Sequence, residues 1–430
     1  MVRKAMMWFV CAVLMFSASV AFGQQKTQLP RQNPFLTPAP SLTGGAEASV
    51  RSNALNNAVG NNAESPTLPV FNYTVTASRD GNVYSGSIVG RSPFTDPFGF
   101  TAIPTQIVPV MIVTNSVFAG VDPTTGQVLT APGVTTFDPT VPDDSCLAPP
   151  NDVPVTLLQQ SPIFRPADFN YGGTDIGVNQ NTDALQRGEF FKLLNFGDAP
   201  FDDNFIYHVI LSPVKTLAAI VINIPGTNGV AYPSAAFGGC PGGKVAIIDF
   251  ASYRPAVVNA IAGLASQGVN PGTFPLLTLH NVVECEGNNP GCATLNSGVC
   301  CILGFHNAIG GTQTFGSADF DTSEIFASPV PDVSITSHEV AEWANDPFGN
   351  NPTPAWGHTG QVTGCQANLE VGDPLSGTLA PPIFNPQNGF TYHMQELAFF
   401  SWFYGAPSVG VNGWFSNNGT FLRDAGPVCH

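Results

Sequence analysis

The amino-acid sequence predicts an α+β fold: one large unit with a β-rich N-terminal section and a charged helix at about residues 333–346. Three observations carry that expectation. Short alternating runs flank Asp80-Gly81 in "PVFNYTVTASRDGNVYSGSIVG", the pattern of a β-hairpin closed by a tight turn. From about residue 166 onward, segments with helical spacing alternate with short β-branched runs. Finally, only 10% of the chain is charged, yet His338, Glu339, Glu342 and Asp346 crowd into nine positions, which demands a local reason.

The chain opens with the basic start Met1-Val2-Arg3-Lys4, then the apolar run "AMMWFVCAVLMFSASV", then the small residues Ala21 and Gly23. This layout predicts a signal peptide over residues 1–23, cleaved near Gly23, and a secreted or periplasmic protein. The run is short for a membrane span and no later segment is apolar enough to make one, so no membrane association is expected after cleavage. Residues 24–67 are rich in Gln, Asn, Ala, Ser and Pro without a hydrophobic period, and read as a flexible low-complexity leader. The folded part is expected over residues 68–430, β-rich over about 68–165 and mixed over about 166–430.

The formal charge is −16, and cleavage removes Arg3 and Lys4 but no acid. Such a surface repels phosphate backbones, which argues against nucleic acid as a partner. Eight cysteines follow the signal: Cys146, Cys240, Cys285, Cys292, Cys300, Cys301, Cys365 and Cys429. An even set in an exported chain points to disulfides, with Cys285, Cys292, Cys300 and Cys301 forming a local cluster. A metal site made of those four is the alternative, although they lack the paired close spacings of zinc knuckles.

Further along, "TQIVPVMIVTNSVF" reads as a buried strand in which Pro109 suggests an edge or a bulge. Residues 120–165, dominated by Pro, Thr, Asp and Gly, read as long loops. "TDALQRGEFFKLLNF" has helical spacing, and "HVILSPVKTLAAIVINI" and "KVAIIDF" are strand material. "RPAVVNAIAGLASQG" is a helix closed by Gly268, and "FPLLTLHNVVE" is a further strand. The aromatic stretch "HMQELAFFSWFYGAPSVGVNGWF" fits a buried helix better than a sugar-stacking surface.

The charged helix lies in "TSHEVAEWANDPFGNN", with Pro331-Asp332 as its start, Asp332 as N-cap, and Pro347 as its stop. At about 100° per residue, His338, Glu342 and Asp346 share one stripe with Glu339 beside it, while Val333, Val340, Trp343 and Ala344 face the other way. A solvated polar face is the ordinary explanation of such a pattern. Two facts oppose it. Glu342 and Asp346 are like charges four apart, which weakens a helix, and between Lys244 and Arg423 the only basic side chain apart from histidine is Arg254. A bound cation would neutralise the cluster.

The spacing His338-Glu339-two residues-Glu342 resembles the zincin metallopeptidase motif, His-Glu-two residues-His. The resemblance implies a zincin-like unit over about 166–430, with His338 as a metal ligand and Glu339 as the general base that activates water. Glu342 stands where the second His would be. Zinc is the expected ion, and this harder ligand could shift preference toward manganese or calcium. A further ligand must come from outside the helix: Glu370 in "LEVGDP", with Asp373 as a ligand or as the partner of His338. His393 and His358 are rival ligands, and in a catalytic site His393 or Tyr392 could polarise a carbonyl. His306 reads as a core residue or an outer partner of the site.

"SHEVAEWANDP", Ala355-Trp356 and "LEVGDP" together also resemble exported bacterial proteins of unknown function, and are similar to the plant EXORDIUM, or phosphate-induced, family. The matching block covers about forty residues, and Pro374 departs from the family pattern. The function expected is that of an exported metal-dependent hydrolase, foremost a peptidase, acting on a peptide or a cell-surface polymer. The alternative is a non-catalytic exported binding or wall-associated protein with a structural metal. Exported protein should begin at or near Gln24; N-terminal sequencing that finds Met1 on the exported material would contradict this.

Overall fold

The computed structural model describes residues 67–143, 146–147, 152–194, 207–286, 300–326, 329–357, 365–405 and 407–422. The expected signal peptide and leader, together with Cys292, His358 and Cys429, lie outside the described residues. Asp80-Gly81 does close a hairpin: β1 (Val70–Thr76) pairs antiparallel with β2 (Val83–Val89) from Thr76↔Val83 outward. Gly81 takes φ +74°, a left-handed conformation cheap only for glycine, and Asp80 Oδ1 accepts the Asn82 amide at 2.9 Å.

The spine of the molecule is β3 (Phe100–Val121), 22 residues long. Pro109 sits in its interior rather than on an edge strand. It falls between the pairing with β7 (His208–Thr216), which ends at Ile107, and that with β8 (Ile220–Asn223), which begins at Val110. A proline is tolerated where one partner stops and the next has not begun. Nor are residues 120–165 only loops. They contain β4 (Val128–Phe137), antiparallel to β3, and the helix α1 (Pro154–Gln160). Pro132-Gly133 hid β4 from its sequence, and the register of its pairing with β3 shifts beside Pro132.

The remaining elements are β5 (Ala167–Tyr171), β6 (Thr174–Asn179), α2 (Asn181–Glu189), β9 (Gly229–Pro233), β10 (Lys244–Asp249) and α3 (Phe250–Gly263). After them come β11 (Phe274–His280), β12 (Val282–Cys285), β13 (Cys300–Ile302), β14 (Gly304–Ile309), β15 (Gln313–Phe320) and α4 (Ser334–Asn345). The last are β16 (Pro352–Gly357), β17 (Cys365–Asn368), β18 (Ile383–Asn385), β19 (Phe390–Tyr392) and α5 (Phe400–Tyr404). "FPLLTLHNVVE" thus makes two strands, β11 and β12, parted at Asn281, whose φ is +54°.

The main sheet runs β13-β12-β10-β9-β3-β11-β15-β14, with β4, β7 and β8 also paired to β3. Its two ends meet. Only Leu303 separates β13 from β14, its carbonyl accepts the Asp319 amide of β15 at 2.9 Å, and Asp319 Oδ1 accepts the Val282 amide of β12 at 3.0 Å. The result is a nearly closed, barrel-like sheet, with 42% strand against 20% helix among the described residues, and this overturns the expected α+β zincin-like fold. The reason is long-range pairing. β3 runs parallel to β7, β8, β9 and β11, and β11 runs parallel to β15, contacts that leave no local signature. Strands covered on both faces also lose their period of two: every residue of β11 and β15 is buried.

Two helices cover the sheet from opposite sides. α3 packs Phe250, Tyr253, Val257 and Ile261 into a core with Val110, Ile248, Leu277 and Phe305. α4 lies against β14 and β15 on the other side, where Trp343 stacks on Phe274 with ring centroids 3.9 Å apart. The aromatic C-terminal stretch supplies core, with Trp402 and Phe403 buried against Trp356.

Cys146 and Cys240 form a disulfide, and Cys285, Cys301 and Cys365 are disulfide-bonded as well. The cysteine metal site therefore loses Cys285 and Cys301, because a disulfide sulfur is no thiolate ligand. The disulfide fits an extracellular location. Among the described residues no helix is long and apolar enough to cross a membrane.

α2 packs on α4 and carries Glu189, fully buried with one oxygen accepting the Phe400 amide at 3.1 Å. Burial pushes its carboxyl up to about 8. A folded-state pKa above the unfolded value makes a contribution that is complete below about 4.5 and is lost as pH rises through about 8. Stability should fall over that interval by up to about 1.4 kcal/mol per pH unit from this group. Urea denaturation across the range should show Glu189→Gln flattening the slope; an unchanged slope would mean that Glu189 is ionised in the folded protein.

Candidate metal centre

α4 occupies residues 334–345, close to the expected span, but it is not half-solvated. All twelve of its residues are buried. The solvated-face explanation of its charges is therefore excluded, and so is the division into one polar face and one inward face. Asp332 does not cap the helix as expected. It adopts φ +42°, and its carboxylate accepts the amides of Val333 and His393. Asp346 is used at the helix end, where its two oxygens accept the amides of Asn350 and Asn351, both at 2.9 Å.

Around α4, three segments bring titratable groups together. The first turns of the helix supply His338, Glu339 and, one turn on, Glu342. The loop after β17 supplies Glu370 and Asp373, placed by Leu369 and Val371, which sit in the core on either side of Glu370. β14 supplies His306. Its neighbour Phe305 points to α3, so the alternation of the strand turns His306 to α4. Two of the contacts need glycine. A Cβ on Gly304 would lie 2.6 Å from Glu339 Cγ, and one on Gly372 would lie 2.5 Å from the His338 ring.

Glu342 is central. Its Oε1 lies 3.1 Å from His338 Nε2 and accepts the amides of Gly372 and Asp373 at 3.0 and 3.2 Å. Its Oε2 lies 3.6 Å from His306 Nδ1. Glu339 spans both imidazoles, with Oε1 3.9 Å from His338 Nε2 and Oε2 3.5 Å from His306 Nδ1. Asp373 Oδ1 is 3.6 Å from His338 Nε2, and Glu370 Oε2 is 3.9 Å from His306 Nε2. Two sets of donors, His338/Glu339/Glu342 and His306/Glu342/Glu370, have their atoms within 4.8 Å of one another.

The outer nitrogens fix what the inner ones can do. His338 Nδ1 donates to Gln395 Oε1 at 3.0 Å, and Gln395 is held in that orientation by donating to the Gly372 carbonyl at 2.6 Å. His306 Nε2 donates to the Asp346 carbonyl at 3.0 Å. Both acceptors therefore leave His338 Nε2 and His306 Nδ1 facing carboxylate oxygens, the arrangement by which outer partners orient metal-binding imidazoles. A lone pair set against a carboxylate in a buried site repels it, so a positive charge has to lie between them, as a proton or as a metal ion.

With protons alone the cluster is internally strained. Burial would lower His338, yet Glu342, Glu339 and Asp373 carry it up to about 10. Burial would raise Glu342, but His338 and His306 outweigh that and hold it below the ordinary carboxylate range. Burial, reinforced by Glu342, pushes Glu370 far up and Asp373 to about 7. Glu284 on β12, also buried with neither oxygen hydrogen-bonded, is raised by burial and then by Asp319 and Glu339. Glu339 Oε2 and Glu370 Oε2 are buried without a hydrogen-bond partner. Imidazole nitrogen and carboxylate oxygen are ligands for zinc and for harder divalent ions, so the donor set fits such an ion.

His338, Glu339, Glu342, Glu370 and Asp373, singled out from the sequence, are thus assembled at one place. His393 is directed elsewhere. Its Nδ1 meets Asp332 Oδ2 at 2.6 Å beside a cavity of about 590 Å³ lined also by Cys146, Asp321 and Glu324. Tyr392 donates to the Leu157 carbonyl at 2.8 Å. His358 is outside the described residues. Two members were missed in their roles. His306 reads in sequence as core or as an outer partner rather than as a donor facing the cluster, with "GFHNAIGG" and its small Gly304 the one hint; Gln395 carries no signal in sequence. Comparison with protein-family models, with curated proteins and with solved structures finds no match to this chain.

The fit at Gly372 makes a direct expectation. Gly372→Ala should push the His338 ring aside, destabilise the protein by about 1–3 kcal/mol and weaken Zn²⁺ binding. Denaturation together with titration against a chromophoric chelator measures both, and unchanged values would mean that the ring is not held where the structure has it.

Proposed function

We propose that the cluster binds a divalent cation, zinc or a harder ion, and that the chain is an exported metal-dependent hydrolase acting on a peptide or a cell-surface polymer. On this proposal it is akin to the exported His-Glu-two residues-Glu proteins and distantly similar to the EXORDIUM family. The observation that carries it is the pair of oriented imidazoles facing Glu339 and Glu342, with Glu339 Oε2 buried and without a hydrogen bond. His338, Glu342 and Asp373 are suited to hold an ion. A bound ion supplies Lewis-acid polarisation and lowers the pKa of water. Glu339, with its carboxyl raised by burial against the pull of His306 and His338, is suited to take a proton from water.

One observation favours a second reading, a structural ion. His338, Glu339 and Glu342 are 2–3% exposed, and a closed site of side-chain donors is the habit of structural rather than catalytic metals. Glu339→Gln separates the two. In a hydrolase the variant should keep its metal, measured by mass spectrometry, and lose roughly 10²–10⁴-fold in turnover. If the metal-loaded wild type turns over neither peptides nor wall polymers, while a chelator lowers its melting temperature, the ion is structural. Absence of any bound ion in the purified protein would rule out both.

A further inference from the structure

The two oxygens of Glu342 face two different imidazoles: Oε1 lies 3.1 Å from His338 Nε2, and Oε2 lies 3.6 Å from His306 Nδ1. From this geometry we propose that the centre holds two divalent cations bridged by the Glu342 carboxylate. One subsite comprises His338 and Asp373 with Glu342 Oε1, and the other His306 and Glu370 with Glu342 Oε2. The proposal rests on the cation-binding reading above and extends it from one ion to two.

Three independent features point the same way. The donors form two groups that share only Glu342, namely His338/Glu339/Glu342, with Asp373 3.6 Å from His338 Nε2, and His306/Glu342/Glu370. Each group has its own imidazole, each with its outer nitrogen tied to an acceptor: Gln395 Oε1 for His338 and the Asp346 carbonyl for His306. A loop carboxylate also lies beside each imidazole: Asp373 Oδ1 is 3.6 Å from His338 Nε2, and Glu370 has an oxygen within 4.8 Å of the ligand atoms of His306 and Glu342, its Oε2 standing 3.9 Å from the outer Nε2 of His306 and buried without a hydrogen-bond partner. A single imidazole with a terminal carboxylate on each side of a bridging one is a donor set for a pair of ions about 3.5–4 Å apart.

Charge counting agrees. Glu339, Glu342, Glu370 and Asp373 carry four negative charges when deprotonated, and residues 245–422 contain one basic side chain apart from histidine, Arg254. One divalent ion would leave two uncompensated charges in a buried site, whereas two ions balance the set. Glu339, whose oxygens lie 3.9 Å from His338 Nε2 and 3.5 Å from His306 Nδ1, reaches toward both subsites.

The test uses the full disulfide-intact protein, stripped with a chelator and equilibrated with Mn²⁺ alone or Zn²⁺ alone. Metal content should reach two ions per chain with at least one of the two metals. With Mn²⁺ bound, the electron paramagnetic resonance spectrum should be that of an exchange-coupled pair rather than isolated six-line Mn²⁺. Glu370→Gln and His306→Ala should each reduce the content from two to one and restore the six-line spectrum. Saturation at one ion with both metals, without coupling, overturns the two-ion centre and leaves the single-ion reading standing; no uptake overturns both. The wild-type stoichiometry and spectrum decide the matter even if a variant fails to fold.

Discussion

A carboxylate buried between two imidazoles is the interaction on which this region of the protein depends. Glu342 has no solvent to share its charge, and its two oxygens are claimed by His338 on one side and His306 on the other. The amides of Gly372 and Asp373 hold Oε1 and tie the loop after β17 to the helix. Removing a partner from such a buried set exposes the full desolvation cost of what remains. The helix, the loop and β14 are therefore bound to one another electrostatically as well as by the apolar contacts of Val340, Trp343, Leu369 and Val371.

The barrel-like sheet makes this possible. Because β13 and β14 are consecutive and separated only by Leu303, the seam of the sheet lies beside α4, and the strand that begins at the seam presents Gly304 and His306 to the helix. Glycine at 304 lets Glu339 approach the strand, and glycine at 372 does the same for the His338 ring. Outer partners then set the roles of the ring nitrogens. The site is thus preorganised by elements far apart in sequence, as ligand sets for metals generally are.

How much of this is legible in the sequence differs between the site and the fold. The site helix is legible because His338, Glu339 and Glu342 share a local spacing, and scarcity of Lys and Arg nearby makes their charges anomalous. Glu370 and Asp373 are legible as carboxylates in a glycine-containing loop. His306 is legible only as core or an outer partner, because its place among the donors follows from which strand neighbours α4, a matter of long-range register. The same cause hides the barrel. The hairpin at Asp80-Gly81, and the left-handed Gly268 that closes the 3-10 turn Leu264–Gln267 after α3 ends at Gly263, are written in turn chemistry, whereas parallel pairing of β3 with four strands is written nowhere locally. β4 was concealed by Pro132-Gly133, and complete burial of α4 by the polar composition of one of its faces.

The central claim is that the buried His/Glu cluster, and no cysteine site, holds a divalent cation. X-ray absorption at the zinc edge of the zinc-loaded protein tests it most directly. The cluster predicts a first shell of nitrogen and oxygen at about 2.0–2.2 Å, with imidazole scattering beyond it and no sulfur. A shell of sulfur at about 2.3 Å, or zinc surrounded by water alone, would contradict it.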